Sequence, residues 1–210
     1  DFTTGQIMRS TVKVSGGDSG NDWKLAGNSG TNPGANFLGT TDQKALMFKV
    51  NSQKAGYIDY ANNQANTSLG YQSLNSNASG FDNTAMGYQA LFSNTTAKEN
   101  TAYGSKSLYS NTTGFYNTAV GVRALYSNVV GYYNTAVGDQ ALYSNTGSHN
   151  TSIGFNSMYN NTTGSQNTAN GRGALAANST GSNNTAIGTS ALYSNTTGNS
   201  NVAVGNLALF

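Results

Sequence analysis

The 210-residue sequence contains no cysteine, which removes disulfide scaffolds, zinc ribbons and thiol nucleophiles together. Proline, tryptophan and histidine occur once each, at Pro33, Trp23 and His149. Charge is scarce as well: 9% of residues are charged, against about a quarter in ordinary proteins, and the net charge is +2. No basic patch can neutralise a run of phosphates, so nucleic acid is not an expected partner. The longest apolar runs, such as Ala45 to Phe48, are far short of the roughly 18 residues of a membrane helix, and no membrane insertion by this segment is expected. In place of these the chain has 31 Asn, 26 Gly and 13 Tyr, with enough Val, Ala and Leu to set it apart from a disordered polymer.

The composition is explained by a repeat. An Asn-Thr-x-x-Gly unit begins at Asn66, Asn83, Asn100, Asn117, Asn134, Asn150, Asn167 and Asn184, with a Val variant at Asn201. The interval is 17 residues except for one of 16, where Asn145-Thr146-Gly147 lacks a residue. A deletion there is expected to be absorbed in a turn. Counting the first Asn as slot 1, the unit reads N-T-A-x-G-x-x-A-L-Y-S-N-T-T-G-x-x. Slot 9 is Leu74, Leu91, Leu108, Leu125, Leu142, Met158, Leu175, Leu192 and Leu209, the pattern of a buried row. Slots 3 and 8 accept only Ala or Ser, which predicts close approach of another surface.

Two Gly positions, paired Thr and a recurrent Asn in each unit argue against helix. Slots 1–5 and 8–12 read instead as two short strands joined by bends, and one unit becomes one coil of an all-β parallel β-solenoid. Nine ~17-residue coils stacked at the strand spacing of ~4.8 Å give an array roughly 40 Å long. Slot 12 (Asn77, Asn94, Asn111, Asn128, Asn145, Asn161, Asn178 and Asn195) then forms a ladder of side-chain amides in a turn. Charges stacked at this spacing repel, which accounts for the few in residues 63–210: Asp82, Glu99 and Asp139 against Lys98, Lys106, Arg123 and Arg172.

The recurring Asn-Thr-Ala-Val-Gly followed by Ala-Leu resembles the head repeat of trimeric autotransporter adhesins of the YadA type, and the same class of repeat in phage-like tail fibres. The resemblance implies a left-handed β-roll, a homotrimer, and a rod exposed outside a cell or on a virion or tail-like particle. It also implies that slots 2 and 4 point into the roll. Residues 1–62 do not repeat and are expected to form a separate β-rich connector, with residues 63–210 as the solenoid. Trp23 to Asn28, Phe37 to Asp42 and Ala45 to Asn51 resemble a connector upstream of repeats in fibre proteins of Bacteroidota. Within the connector, Met47–Val50 and Lys54–Ile58 read as strand, polar turn, strand. The pattern is still in progress at Phe210, so the sequence is expected to be a piece of a longer product.

No residue pattern points to catalysis, a metal or a cofactor. His149 lies in slot 17 with no second ligand beside it and reads as a solvated turn residue. Asp82 and Glu99 share that slot in adjacent coils and read as tolerated surface charges rather than a glycosidase pair. The receptor-contact candidates are the slot 10 rings Tyr109, Tyr126, Tyr143, Tyr159 and Tyr193, expected by strand alternation to face away from the Leu row. Either they form a stripe for a glycan or protein receptor, or they stack on each other and fill a seam between protomers. The expected function is a non-enzymatic fibre or adhesin segment that attaches to host cells, matrix or glycans by multivalent contact. The alternative is an ice-binding β-solenoid using the stacked Thr of slot 2, from Thr67 to Thr185.

Overall fold

The computed structural model describes residues 44–59 and 65–210; the remainder of the 1–62 connector, including Trp23 to Asn28 and Phe37 to Asp42, lies outside the described residues. The fold is all-β, a parallel stacked β-solenoid whose eleven strands form one sheet in sequence order. An antiparallel hairpin, β1 (Leu46–Val50) and β2 (Gln53–Ile58), turns on Asn51 and Ser52, both with positive φ as a two-residue hairpin turn demands. β2 pairs antiparallel with β3 (Thr67–Leu69), so this sheet runs across residue 62. The hairpin covers the edge of the first coil: Gly70 and Gln72 donate backbone hydrogen bonds to Ala55 O and Lys54 O, and Lys54 Nζ donates to Leu74 O at 2.7 Å. Partial burial holds the Lys54 ammonium below its ordinary range, opposed in part by the charge of Asp59.

From β3 onward each repeat contributes one three-residue strand, ending with β11 (Val202–Val204), and every neighbouring pair is parallel and in register, slot on slot: Thr on Thr as far as Thr185, which pairs with Val202, and Ala on Ala or Ser. The 16-residue repeat does not disturb this order: Thr135 pairs with Thr151, and the turn at Thr146 and Gly147 bonds to Thr162 O of the next coil.

Two expectations about the coil are corrected. Only slots 2–4 form a strand; slots 8–12 do not. Slots 8 and 9 are both buried in succession, as at Ala124 and Leu125 (0% exposed each), which the alternation of a strand forbids. The chain manages it by adopting left-handed backbone at slots 7 and 9, where Leu74 through Leu209 have φ of 48–53°. Slot 17 is left-handed too, so most coils hold three non-glycine residues in a conformation that costs about 1–2 kcal/mol each. Slot 5 must be glycine: its φ lies near +130 to +147°, and a Cβ on Gly70 would stand 2.3 Å from Gly87 O.

The second correction concerns the strand faces. Slot 3, not slots 2 and 4, points inward: Ala85, Ala102, Ala119, Ala136 and Ala186 are fully buried, while Leu69, Tyr103, Ile153 and Val204 of slot 4 are exposed. The small residues of slots 3 and 8 are therefore the coil's own core, facing the slot 9 row, and give no sign of a second chain. The interior is narrow enough that one Leu or Met and two Ala or Ser fill each layer. The slot 9 residues from Leu74 to Leu175 are fully buried, Leu192 is nearly so, and Leu209, with a neighbouring coil on one side only, is 65% exposed.

Amides hold the other end of the coil. In slot 12, Asn94 Nδ2 donates to Asn77 Oδ1 (2.7 Å), Asn128 to Asn111 (3.0 Å), Asn161 to Asn145 (2.6 Å), Asn178 to Asn161 (2.7 Å) and Asn195 to Asn178 (3.0 Å). Asn145 to Asn128 is long at 3.5 Å. One rung is missing, between Asn94 and Asn111, and Asn94 Oδ1 is buried without a partner. That coil is also the one with Ala97 in slot 15 where the others have Gly. A Cβ on the equivalent Gly114 would fall 2.3 Å from Asn111 Oδ1, so the Ala97 methyl displaces the Asn94 amide. The Asn94 Nδ2 to Ala97 O bond is accordingly stretched to 3.3 Å, against 2.9 Å from Asn111 to Gly114.

Two outcomes follow from this packing. Leu125→Asp buries an unpaired carboxylate and removes core contacts, costing roughly 4 kcal/mol or more, whereas Tyr126→Ser, at a half-buried ring, costs about 1–2 kcal/mol. Chemical denaturation of both variants measures the difference; coincident curves for Leu125→Asp and wild type would exchange the faces assigned to slots 9 and 10. Ala97→Gly lets the Asn111–Asn94 rung form and stabilises by ~1 kcal/mol, after the backbone entropy of the added glycine is set against the satisfied carbonyl. Its denaturation midpoint should rise, and a fall would mean that the methyl is not what breaks the ladder.

Candidate functional site

Two lines of aromatic rings run along the outside of the coil. The slot 10 line results from the left-handed turn at slot 9, which sends the next side chain outward. Phe92, Tyr109, Tyr126, Tyr143 and Tyr159 stack face to face with centroids 5.0–5.2 Å apart and planes within 11°. Of the five receptor-contact candidates, Tyr109, Tyr126, Tyr143 and Tyr159 are half-buried members of this ladder, and Tyr193, 42% exposed, stacks on Phe210 at 5.4 Å. Much of each ring's face is therefore covered by its neighbours, leaving mainly edges and hydroxyls for contact.

The ladder breaks once. Ala176 occupies slot 10 between Tyr159 and Tyr193, and the same coil has Gly173 in slot 7, where the other coils have a larger side chain. The two truncations fall together and open a cleft of about 270 Å³. Phe155, Asn156, Arg172 and Ser190 complete its wall with the two tyrosines. Arg172 is exposed and makes no ion pair among the described residues. The carbonyl of Asn156 is buried and unpartnered, so this amide is not tied into the fold.

The second line, at slots 16 and 17, was not singled out from sequence. Phe115 stacks on Tyr132 at 5.1 Å, Tyr116 on Tyr133 at 4.8 Å, and Tyr133 on His149 at 5.2 Å, with edge contacts between the two columns. Tyr116, Tyr132 and Tyr133 are exposed, which makes this the densest aromatic surface among the described residues. His149 caps it: the residue is exposed in a bend, as expected of a solvated turn position, and its ring stacks on Tyr133. At its other end the Tyr116 hydroxyl is hydrogen-bonded to Glu99, which holds the phenol above its ordinary range through that bond and the carboxylate charge. The signal available in sequence was the adjacent pairs Phe115-Tyr116 and Tyr132-Tyr133 recurring 17 residues apart.

A second amide ladder was also missed as such. The slot 1 Asn residues are buried, and each Oδ1 accepts from the next coil, as where Asn117 N and Nδ2 donate to Asn100 Oδ1 at 3.0 and 3.1 Å. Each Nδ2 also spans the coil to a slot 15 carbonyl, Asn117 to Gly131 O at 2.9 Å. These Asn are structural. Among the described residues no three His, Asp or Glu gather into a possible metal site, and no helix is long and apolar enough to cross a membrane. Compared with known proteins, the chain matches no family model, no curated protein and no solved structure.

Proposed function

We propose that this chain is a segment of a non-enzymatic, homotrimeric fibre displayed on a bacterial surface or a phage-like tail, attaching to its target by many weak contacts. The observation that carries this reading is the outer face of the strands. Slot 4 places Leu69, Tyr103, Val137, Ile153, Ile187 and Val204 in one exposed line, 37–67% accessible, beside the Thr row of slot 2, with no charged residue in either slot. A long apolar face of this kind is rarely left uncovered by a soluble protein, and copies of the chain can approach along it without burying a charge. The number three comes from the resemblance to trimeric adhesin repeats. The array supports mechanical display because successive coils are bonded through the backbone and, apart from the missing rung between Asn94 and Asn111 and the ring gap at Ala176, through two amide ladders and stacked rings. Three parallel copies then multiply weak contacts without any single strong site.

Light scattering should give three times the 21.8 kDa chain mass. Val137→Lys, on the strand face, should release folded monomers, since a lysine there is tolerated in water but not in a seam. A folded wild-type sample at 21.8 kDa would remove the trimer from this reading.

A second reading is favoured by one feature: the slot 2 Thr residues lie on the outward face of a regular parallel sheet, in register from Thr67 to Thr185. Such a row of hydroxyls and methyls suits an ice lattice, although Tyr103 and Asn170 interrupt the adjoining slot 4 row. Thermal hysteresis at millimolar protein would establish ice binding, and its absence would leave the fibre reading alone.

A further inference from the structure

The break in the tyrosine ladder falls at Ala176, whose methyl stands in place of a ring and is itself only 7% exposed. Elsewhere the ladder advances ~5 Å per coil, so Tyr159 and Tyr193, two coils apart, stand roughly 10 Å from each other with Ala176 between them. Two aromatic rings at this separation leave room for a six-membered ring between them. Gly173 carries no side chain, and a Cβ there would lie 3.5 Å from Ser190 Oγ and 3.6 Å from the edge of the Tyr193 ring, which leans over this position. The clamp is also kept in place without a ligand, because Tyr159 stacks on Tyr143 and Tyr193 on Phe210.

The chemistry of the rim selects among rings. A planar hydrocarbon ring would use the two tyrosine faces and nothing else. The rim, however, supplies Asn156, Asn160, Arg172 and Ser190, four polar side chains around a cleft of about 270 Å³. That is the size of a single sugar unit rather than of a drug-sized ligand. A pyranose presents C–H groups to the tyrosines above and below and hydroxyls around its equator, so it uses both parts of the cleft. The Asn156 amide, with its carbonyl unpartnered, can rotate to offer a donor or an acceptor to a hydroxyl. Arg172 adds an unpaired guanidinium whose planar fork matches a carboxylate.

We propose that this cleft binds one pyranose ring bearing a carboxylate, a hexuronate unit of an acidic polysaccharide, held between the faces of Tyr159 and Tyr193 with its carboxylate on Arg172. One site per chain gives three per trimer, so that an acidic polysaccharide carrying many such units is held through avidity while each unit binds weakly. This names a ligand class for the attachment function proposed above and rests on that reading for its use. The site itself is built within one chain, away from the strand face, so failure of sugar binding and failure of trimer assembly are separate results.

The test is a saturation-transfer NMR titration of the full chain with methyl glucuronide, methyl glucoside and benzoate. Wild type should bind the glucuronide with a dissociation constant on the order of a millimolar, as expected for one ring, and the glucoside at least several-fold more weakly. Arg172→Gln should bring the glucuronide down to the level of the glucoside. Ala176→Tyr should complete the ladder, melt at or above the wild-type temperature, and lose binding by tenfold or more. If that variant does not fold, Tyr193→Ala removes one jaw of the clamp and should lose binding in the same way. The proposal is overturned if wild type does not bind the glucuronide, or if neither variant at positions 176 and 193 weakens it. Tighter binding of benzoate than of the glucuronide would make the site one for aromatic rings, and equal binding of the two sugars would remove the carboxylate; either result also overturns it.

Discussion

Every coil in this protein is hydrogen-bonded to the residue in the same slot, or the adjoining slot, of the coil that follows. That single constraint, a like-on-like repeat at the ~4.8 Å spacing of paired strands, governs what each slot can contain. Asparagine is favoured because an amide is both donor and acceptor and bonds to a copy of itself, as Asn178 does to Asn161 and Asn100 does to Asn83. Tyrosine is favoured because a ring stacks on its own copy. Charge is disfavoured because its copy repels it. Glycine is required at slot 5, where the backbone of the neighbouring coil already occupies the place of a Cβ, and favoured at slot 15, where the one alanine, Ala97, breaks an amide rung.

The same constraint explains how the fold tolerates its backbone. A Leu at φ near +50° is unfavourable taken alone, and it recurs in eight of the nine repeats, with Met158 in the same conformation in the other. It persists because the left-handed residue turns two successive side chains, the Ala of slot 8 and the Leu of slot 9, into one interior, and no regular strand or helix does so within such a small cross-section. From Leu74 to Leu192 these strained residues are buried among packed neighbours and donate to the next coil, as Leu125 N does to Ala141 O at 3.0 Å. Stability is therefore distributed along the array, coil by coil, instead of residing in one central core.

Departures from the repeat then become informative, since the surface is otherwise uniform. Ala97 breaks an amide rung and leaves a buried carbonyl unpaired, a small defect with no cavity attached to it. Ala176 and Gly173 break the ring ladder together and leave a cleft with polar groups on its rim. Phe115, Tyr116, Tyr132 and Tyr133 add a second aromatic column at slots whose occupants in the other repeats are mostly polar, from Asp82, Lys98 and Glu99 to Gln166 and Asn183. Recognition in an array like this one is written in its irregular positions, while the regular positions supply rigidity and a face for assembly.

The sequence by itself determined the period, the nine coils, the all-β class, the buried row from Leu74 to Leu192 and the placing of the 16-residue repeat in a turn. These are legible because a 17-residue period brings identical residues into register whatever path the chain takes between them. It did not determine that path. The inward face of the strand and the absence of a strand at slots 8–12 depend on left-handed φ values at Leu and at polar residues, which nothing in their identity announces. The small slots 3 and 8 were consequently assigned to a surface between chains when they are the interior of one. Neither the second amide ladder at slot 1 nor the cleft at Ala176 was apparent either, because both arise from side chains 14 to 34 residues apart, Asn117 with Gly131 and Tyr159 with Tyr193, that meet only after the coils have stacked.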